Sequence, residues 1–230
     1  MQANSHRETW FIRHAESIAN AGARTQEASS YPLSELGFRQ AEQLAATLPA
    51  EPDLIIVSPY IRAQQTADFA IRRFPNVRVE VWPVQEVQYL DPALCVDTTQ
   101  DQRNALADAY WDRCEPDYAA PNAESFAGFI ARAADALQRL SKLQEKRIFV
   151  FCHGRMMDAL AWLNLSRRAV IDESAMRQFF HFFRGFTVPN CSVLPLHFHP
   201  DGRRSMGAIW VPEGVDPEVA GRNRPGQEGV

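Results

Sequence analysis

Three short apolar runs in this chain each stop on a residue that can carry chemistry. They are "TWFIRH" (9–14), "DLIIVS" (53–58) and "RIFVFC" (147–152), the last followed at once by His153. The middle run is continuous and β-branched, which suits a strand buried on both faces. Helical spacing separates them. Ala41, Leu44, Ala45 and Leu48 follow a candidate N-cap at Ser34, and Ala63, Ala67, Ala70, Ile71 and Phe74 follow an N-cap and N1 pair at Ser58-Pro59. Residues 123–143 give the clearest helix, with Phe126, Ile130, Ala133, Leu137 and Leu140 on one side. "VRVEVWPV" (77–84) reads as a strand, and Gly154 opens a helix through Leu163. "CSVLPLHFH" and "SMGAIWV" read as late strands joined by a turn at Pro200-Asp201-Gly202. Such alternation predicts an α/β layered fold with a mostly parallel sheet. Parallel strands gather their ligand sites at their C-terminal ends. Arg13-His14, Ser58 to Arg62 and His153-Gly154 all fall at such ends.

The 230 residues, 46% of them apolar, are enough for one well-cored domain. It is expected over 1–211, with an insertion at roughly 89–121 holding short helices and a loosely held tail at 212–230. The net charge of −4 is scattered, so no basic stripe predicts a nucleic-acid partner. No apolar stretch approaches a membrane span, and "MQANSHRETW" lacks the apolar core of a signal peptide. Cys95, Cys114, Cys152 and Cys191 are far apart, with no CxxC pair, and read as reduced thiols in a cytoplasmic protein. The oligomeric state is not readable.

Two histidines and two arginines converging on one sheet edge with helix N-termini make an anion site. The planar fork of Arg suits phosphate, and Arg62 falls in a first helical turn whose N–H groups favour an anion. A neutral imidazole placed there can attack phosphorus and carry it covalently.

At this point the residues resemble a known family, the histidine phosphatase superfamily that includes phosphoglycerate mutase. "RHAESIAN" looks like its RHGE-type signature and "YPLSELGFRQAEQL" like the helix that follows. "SPYIRAQQTA" is similar to its second Arg motif, "FCHGRMMDAL" to its second His motif, and "NCSVLPL" to its late strand. The resemblance implies a phosphoglycerate mutase-like three-layer α/β/α sandwich with a small helical insertion. It implies that His14 is the nucleophile, that Arg13, Arg62, His153 and Gly154 hold the phosphoryl group, and that Asn20 adds a hydrogen bond. Glu86, in "VWPVQEVQYL", matches the proton donor. No metal and no cofactor are implied.

Other readings are weaker. A cysteine phosphatase needs an Arg six positions after Cys152, and Asp158 stands there. His197 and His199 share a strand face without a third ligand, which favours an ordinary surface over a metal site. Glu16 is expected beside an Arg, and Asn20 can also cap a turn. Phe179, Phe180, Phe182 and Phe183 around His181 read as core or as a hydrophobic cover. Arg155 either reaches the non-phosphate end of a substrate or lies on the helix surface. Residues 89–121 offer only Arg103 and Arg113 as bases, outnumbered by acids, and Trp111 is followed by Asp112 where a mutase has paired Arg. An acidic insertion is a poor carboxylate clamp. The expected activity is therefore hydrolysis of a small phosphorylated metabolite, with phosphoprotein also open. The alternatives are mutase-type transfer and a catalytically silent binding module.

Overall fold

The computed structural model of the protein describes residues 7–24 and 27–215. Six strands form one sheet: β1 (Arg7–Arg13), β2 (Leu54–Val57), β3 (Arg78–Val81), β4 (Arg147–Cys152), β5 (Val193–Phe198) and β6 (Arg204–Met206). Their order is β3-β2-β4-β1-β5-β6. β1, β4, β2 and β3 run parallel, and β5 and β6 are added antiparallel at one edge. The sheet is mostly parallel, as the alternating pattern predicts.

The unbroken apolar strands are explained by what covers each face. Side chains alternate across a strand. Phe11, Leu54, Ile56, Ile148 and Val150 join one core cluster, while Trp10, Ile12, Ile55, Val57, Phe149 and Phe151 join the other. The first cluster takes in α4 (Phe126–Lys142), α5 (Gly154–Ser166) and α6 (Glu173–Gly185). The second takes in α1 (Glu35–Thr47) and α2 (Ile61–Arg73). Three layers result. Between β3 and α4, residues 89–121 hold a short 3₁₀ turn, Pro92–Leu94, and α3 (Gln100–Arg113).

Several elements differ from the sequence reading. α2 begins at Ile61 with Tyr60 at its N-cap, two residues later than Ser58-Pro59 predicts. The Ser58 hydroxyl instead accepts from the Tyr60 N–H at 3.3 Å in the turn before the helix, and it lies 2.7 Å from His153 Nε2. β3 stops at Val81, before Pro83, and the last strand covers only Arg204–Met206, with Trp210 returning as an isolated bridge to Val193. Of the predicted tail, Pro212 and Val215 are buried and Glu213 and Gly214 exposed; its remainder, 216–230, lies outside the described residues. All four cysteines are buried and none is disulfide-bonded. Among the described residues, no helix is long and apolar enough to cross a membrane.

Gly37 fixes how the loop after β1 meets α1. Ser34 caps the helix by accepting from the Gly37 N–H at 3.0 Å, and it also donates to Glu16 Oε1 at 2.6 Å. Glu16 therefore serves the helix cap rather than an Arg. A Cβ on Gly37 would lie 1.9 Å from the Glu16 carbonyl oxygen, which is backbone and cannot swing away. Gly37→Ala is expected to cost about 2–3 kcal/mol, seen as a Tm lower by roughly 5–10 °C. An unchanged Tm would show that the loop yields freely.

Candidate active site

Adjacent parallel strands deliver the site. β1, β4 and β2 lie side by side with Arg13 opposite Cys152 and Val57 opposite Phe151. The residues that follow them, His14, His153 and Ser58, are therefore brought together at one edge. The two imidazole centroids are 5.1 Å apart.

His14 is oriented through both ring nitrogens. Its Nδ1 lies 2.7 Å from the Ala15 carbonyl oxygen, which can only accept, so Nδ1 carries the proton. Nε2 is then the bare nitrogen, and it accepts from Arg62 Nε at 3.0 Å. Burial first, then the Arg62 and Arg13 cations, hold this imidazole well below its ordinary pKa; the Ala15 hydrogen bond opposes them. His14 is thus neutral at physiological pH with a lone pair on Nε2, which is the state a nucleophile needs.

His153 is wholly buried, and Ser58 Oγ lies 2.7 Å from its Nε2. Burial, Arg62, His14 and Arg13 all keep it neutral. Arg62 also donates to the Ala28 carbonyl at 2.7 Å and lies 5.0 Å from the Tyr60 ring centroid. Burial lowers its guanidinium to about 10, so it remains a cation at neutral pH. Arg13 donates to the Val188 carbonyl through Nη1. Two buried nitrogens at this edge, Arg13 Nε and His153 Nδ1, have no hydrogen-bond partner among the described residues. The Arg13 Nε–H is always a donor; left unsatisfied in the interior it is costly, and an oxyanion would satisfy it.

Arg13, His14, Asn20, Arg62, Glu86 and Gly154 all line one cavity of about 360 Å³. Glu86 stands on the loop after β3. Its Oε2 accepts from the Arg155 N–H and its Oε1 from the Val87 N–H, both at 3.2 Å. Arg132 of α4 holds that loop: Glu124 grips it with contacts of 2.9 and 2.6 Å, and it donates to the carbonyls of Pro83 and Gln85 at 2.9 Å each. Gly154 is the first residue of α5, and a Cβ there would make ordinary contact with Arg13. Asn20 lines the cavity, but its Oδ1 is committed to the loop, accepting from Ser17 N, Ser17 Oγ and Asn190 Nδ2 at 3.0–3.3 Å.

Sequence reasoning missed several of these residues. Asn190 donates to the His14 carbonyl at 2.9 Å, Arg132 shapes the Glu86 loop, and Tyr60 packs edge-on to His153 at 5.3 Å. Arg155 lies on the cavity wall, where it pairs with Asp158 at 2.8 Å and covers the Phe183 ring at 3.9 Å. Burial raises Asp158 to about 7 against the pull of Arg155. Cys152 is fully buried and its thiol is pushed far up by burial, so the thiolate needed for a cysteine mechanism is absent. His199 contacts Ser205 at 2.7 Å, and no group of three or more potential ligands that could hold a metal occurs among the described residues.

The fold recurs in solved structures. A mycobacterial glucosyl-3-phosphoglycerate phosphatase in complex with VO3 is similar with a TM-score of 0.67 and 25% identity, covering 89% of this chain and 99% of that one. The alpha-ribazole phosphatase of Shigella flexneri matches with a TM-score of 0.69, 21% identity, and 88% and 95% coverage. A phosphoserine phosphatase mutant from Entamoeba histolytica, in complex with phosphoserine, matches with 0.67, 18%, and 88% and 96%. No curated protein matches the chain by sequence. The model of the histidine phosphatase superfamily (branch 1) matches residues 9–208, and the chain belongs to that family.

Proposed function

We propose that the protein hydrolyses a small phosphate monoester through a phosphohistidine on His14. The observation that carries this reading is the neutral His14, protonated on Nδ1 and bare on Nε2, beside two cationic Arg side chains, one of them with its buried Nε–H unpartnered. In the first step His14 Nε2 attacks phosphorus as the ester P–O bond breaks. The leaving alkoxide takes its proton from Glu86, since an alkoxide is too basic to depart alone. Arg13, Arg62, His153 and the N-terminus of α5 at Gly154 bind the phosphoryl oxygens, where charge is spread in the transition state. Arg62 exchanges its hydrogen bond to His14 for one to phosphate. In the second step water gives a proton to Glu86 and its oxygen displaces His14, releasing inorganic phosphate. The Ala15 carbonyl supports the positive charge that the ring bears in between. Asn20 adds a phosphate contact only through its amide nitrogen, since its oxygen serves the turn.

Hydrolysis is favoured over transfer between substrates by the insertion. Arg113 lies over the Tyr118 ring at 4.0 Å and pairs with Glu115, leaving Arg103 as the insertion's one base on the cavity wall. The similar structures are of phosphatases, which favours the same reading. A panel of phosphomonoesters is the test, read as released phosphate. With 3-phosphoglycerate and catalytic bisphosphoglycerate, release is expected to exceed isomerisation. Faster isomerisation would make the protein a mutase, and no turnover across the panel would leave a binding module.

A further inference from the structure

The cavity that holds the anion site is also walled by aromatic rings. Tyr89, Trp111, Phe180 and Phe183 line it and form a contiguous patch: Tyr89 to Trp111 is 5.4 Å, Trp111 to Phe180 5.5 Å, and Phe180 to Phe183 5.4 Å. Core packing accounts for other rings of the cluster. Phe179 and Tyr110 are 0% and 5% exposed and do not line the cavity. Phe180 differs, because it is only half-buried and sits on the cavity wall beside the buried stripe of α6. Arg155, on the same wall, is not a loose cation awaiting a second anionic group. Asp158 pairs with it at 2.8 Å and Phe183 supports its plane.

We infer that the leaving alcohol of the substrate carries a planar aromatic ring, seated against Tyr89, Trp111, Phe180 and Phe183. This rests on the phosphatase reading above. A hydroxyl turned onto the faces of these four rings would lose water without gaining a full hydrogen bond from them, although Gln88, Arg103 and Asp108 also line the cavity. A ring instead loses apolar surface from water and gains stacked or edge-on contacts. A cavity of about 360 Å³ has room for a phosphoryl group and one ring.

The test compares 3-phenylpropyl phosphate with n-propyl phosphate. Their alcohols are alike in acidity, so the ratio of kcat/KM reports the seat rather than the ease of bond breaking. At least a roughly tenfold preference for the phenyl ester is expected, the scale on which an apolar pocket discriminates. Phe180→Ala, at a half-buried position, is expected to shrink that preference. A smaller ratio in the wild type, an unchanged ratio in the variant, or a higher kcat/KM for phosphoserine than for the phenyl ester would overturn the ring seat while leaving the phosphatase reading intact. If neither ester is turned over while another ester of the panel is, the ring seat alone fails; if no ester of the panel releases phosphate and none is trapped on His14, the phosphatase reading fails and the ring seat falls with it.

Discussion

His14→Ala is expected to lower turnover on the order of 10⁴-fold or more and to abolish the covalent intermediate. In the wild type, a ³²P-labelled ester quenched in alkali should leave label on His14, because a phosphoramidate survives base and is lost in acid. The expectation follows from the tautomer. Ala15 O holds the proton on Nδ1, so the lone pair is on Nε2, the atom that faces Arg62. No neighbour can take over. His153 Nε2 is tied to Ser58, and the Cys152 thiol is buried and protonated. His14 is 3% exposed, so circular dichroism of the variant is needed to separate lost chemistry from lost structure. Label on Ser or Cys, or a variant that is folded and still active, would refute the mechanism.

The parts of this site that were legible in the sequence share one property: each stands at the end of a locally patterned element. Arg13-His14 and His153-Gly154 end apolar strands, and Arg62 falls in the first turn of a helix with a clear apolar face. Their convergence then follows from strand adjacency in a parallel sheet. Asn190 and Arg132 have no such signal, since their partners are set by tertiary packing; Asn190 reaches His14 across 176 positions. In the sequence α6 shows only as an aromatic cluster, because Phe at 179, 180, 182, 183 and 186 masks its period. The packed fold picks out Ala175, Met176, Phe179 and Phe183, which have helical spacing. Ser58 misled for a related reason. It has the chemistry of an N-cap, but its hydroxyl contacts His153 and the Tyr60 N–H, and the helix starts after Tyr60.

Glu86→Gln should separate proton transfer from positioning. For an alkyl phosphate, turnover is expected to fall about 10²–10⁴-fold, the range that general acid–base catalysis supplies. For 4-nitrophenyl phosphate the leaving group needs no proton, so the first step is spared. The second step still needs a base to take the proton from water. The variant is therefore expected to release a burst of nitrophenolate equal to the enzyme and then slow, with phosphate accumulating on His14. Gln keeps the size of Glu and one acceptor, so Val87 or Arg155 can still donate to the side chain. If both esters slowed equally and no burst appeared, Glu86 would be acting through those two backbone contacts, as a brace for the start of α5 rather than an acid. The burst is the discriminating result, because a brace has no reason to prefer one leaving group over another.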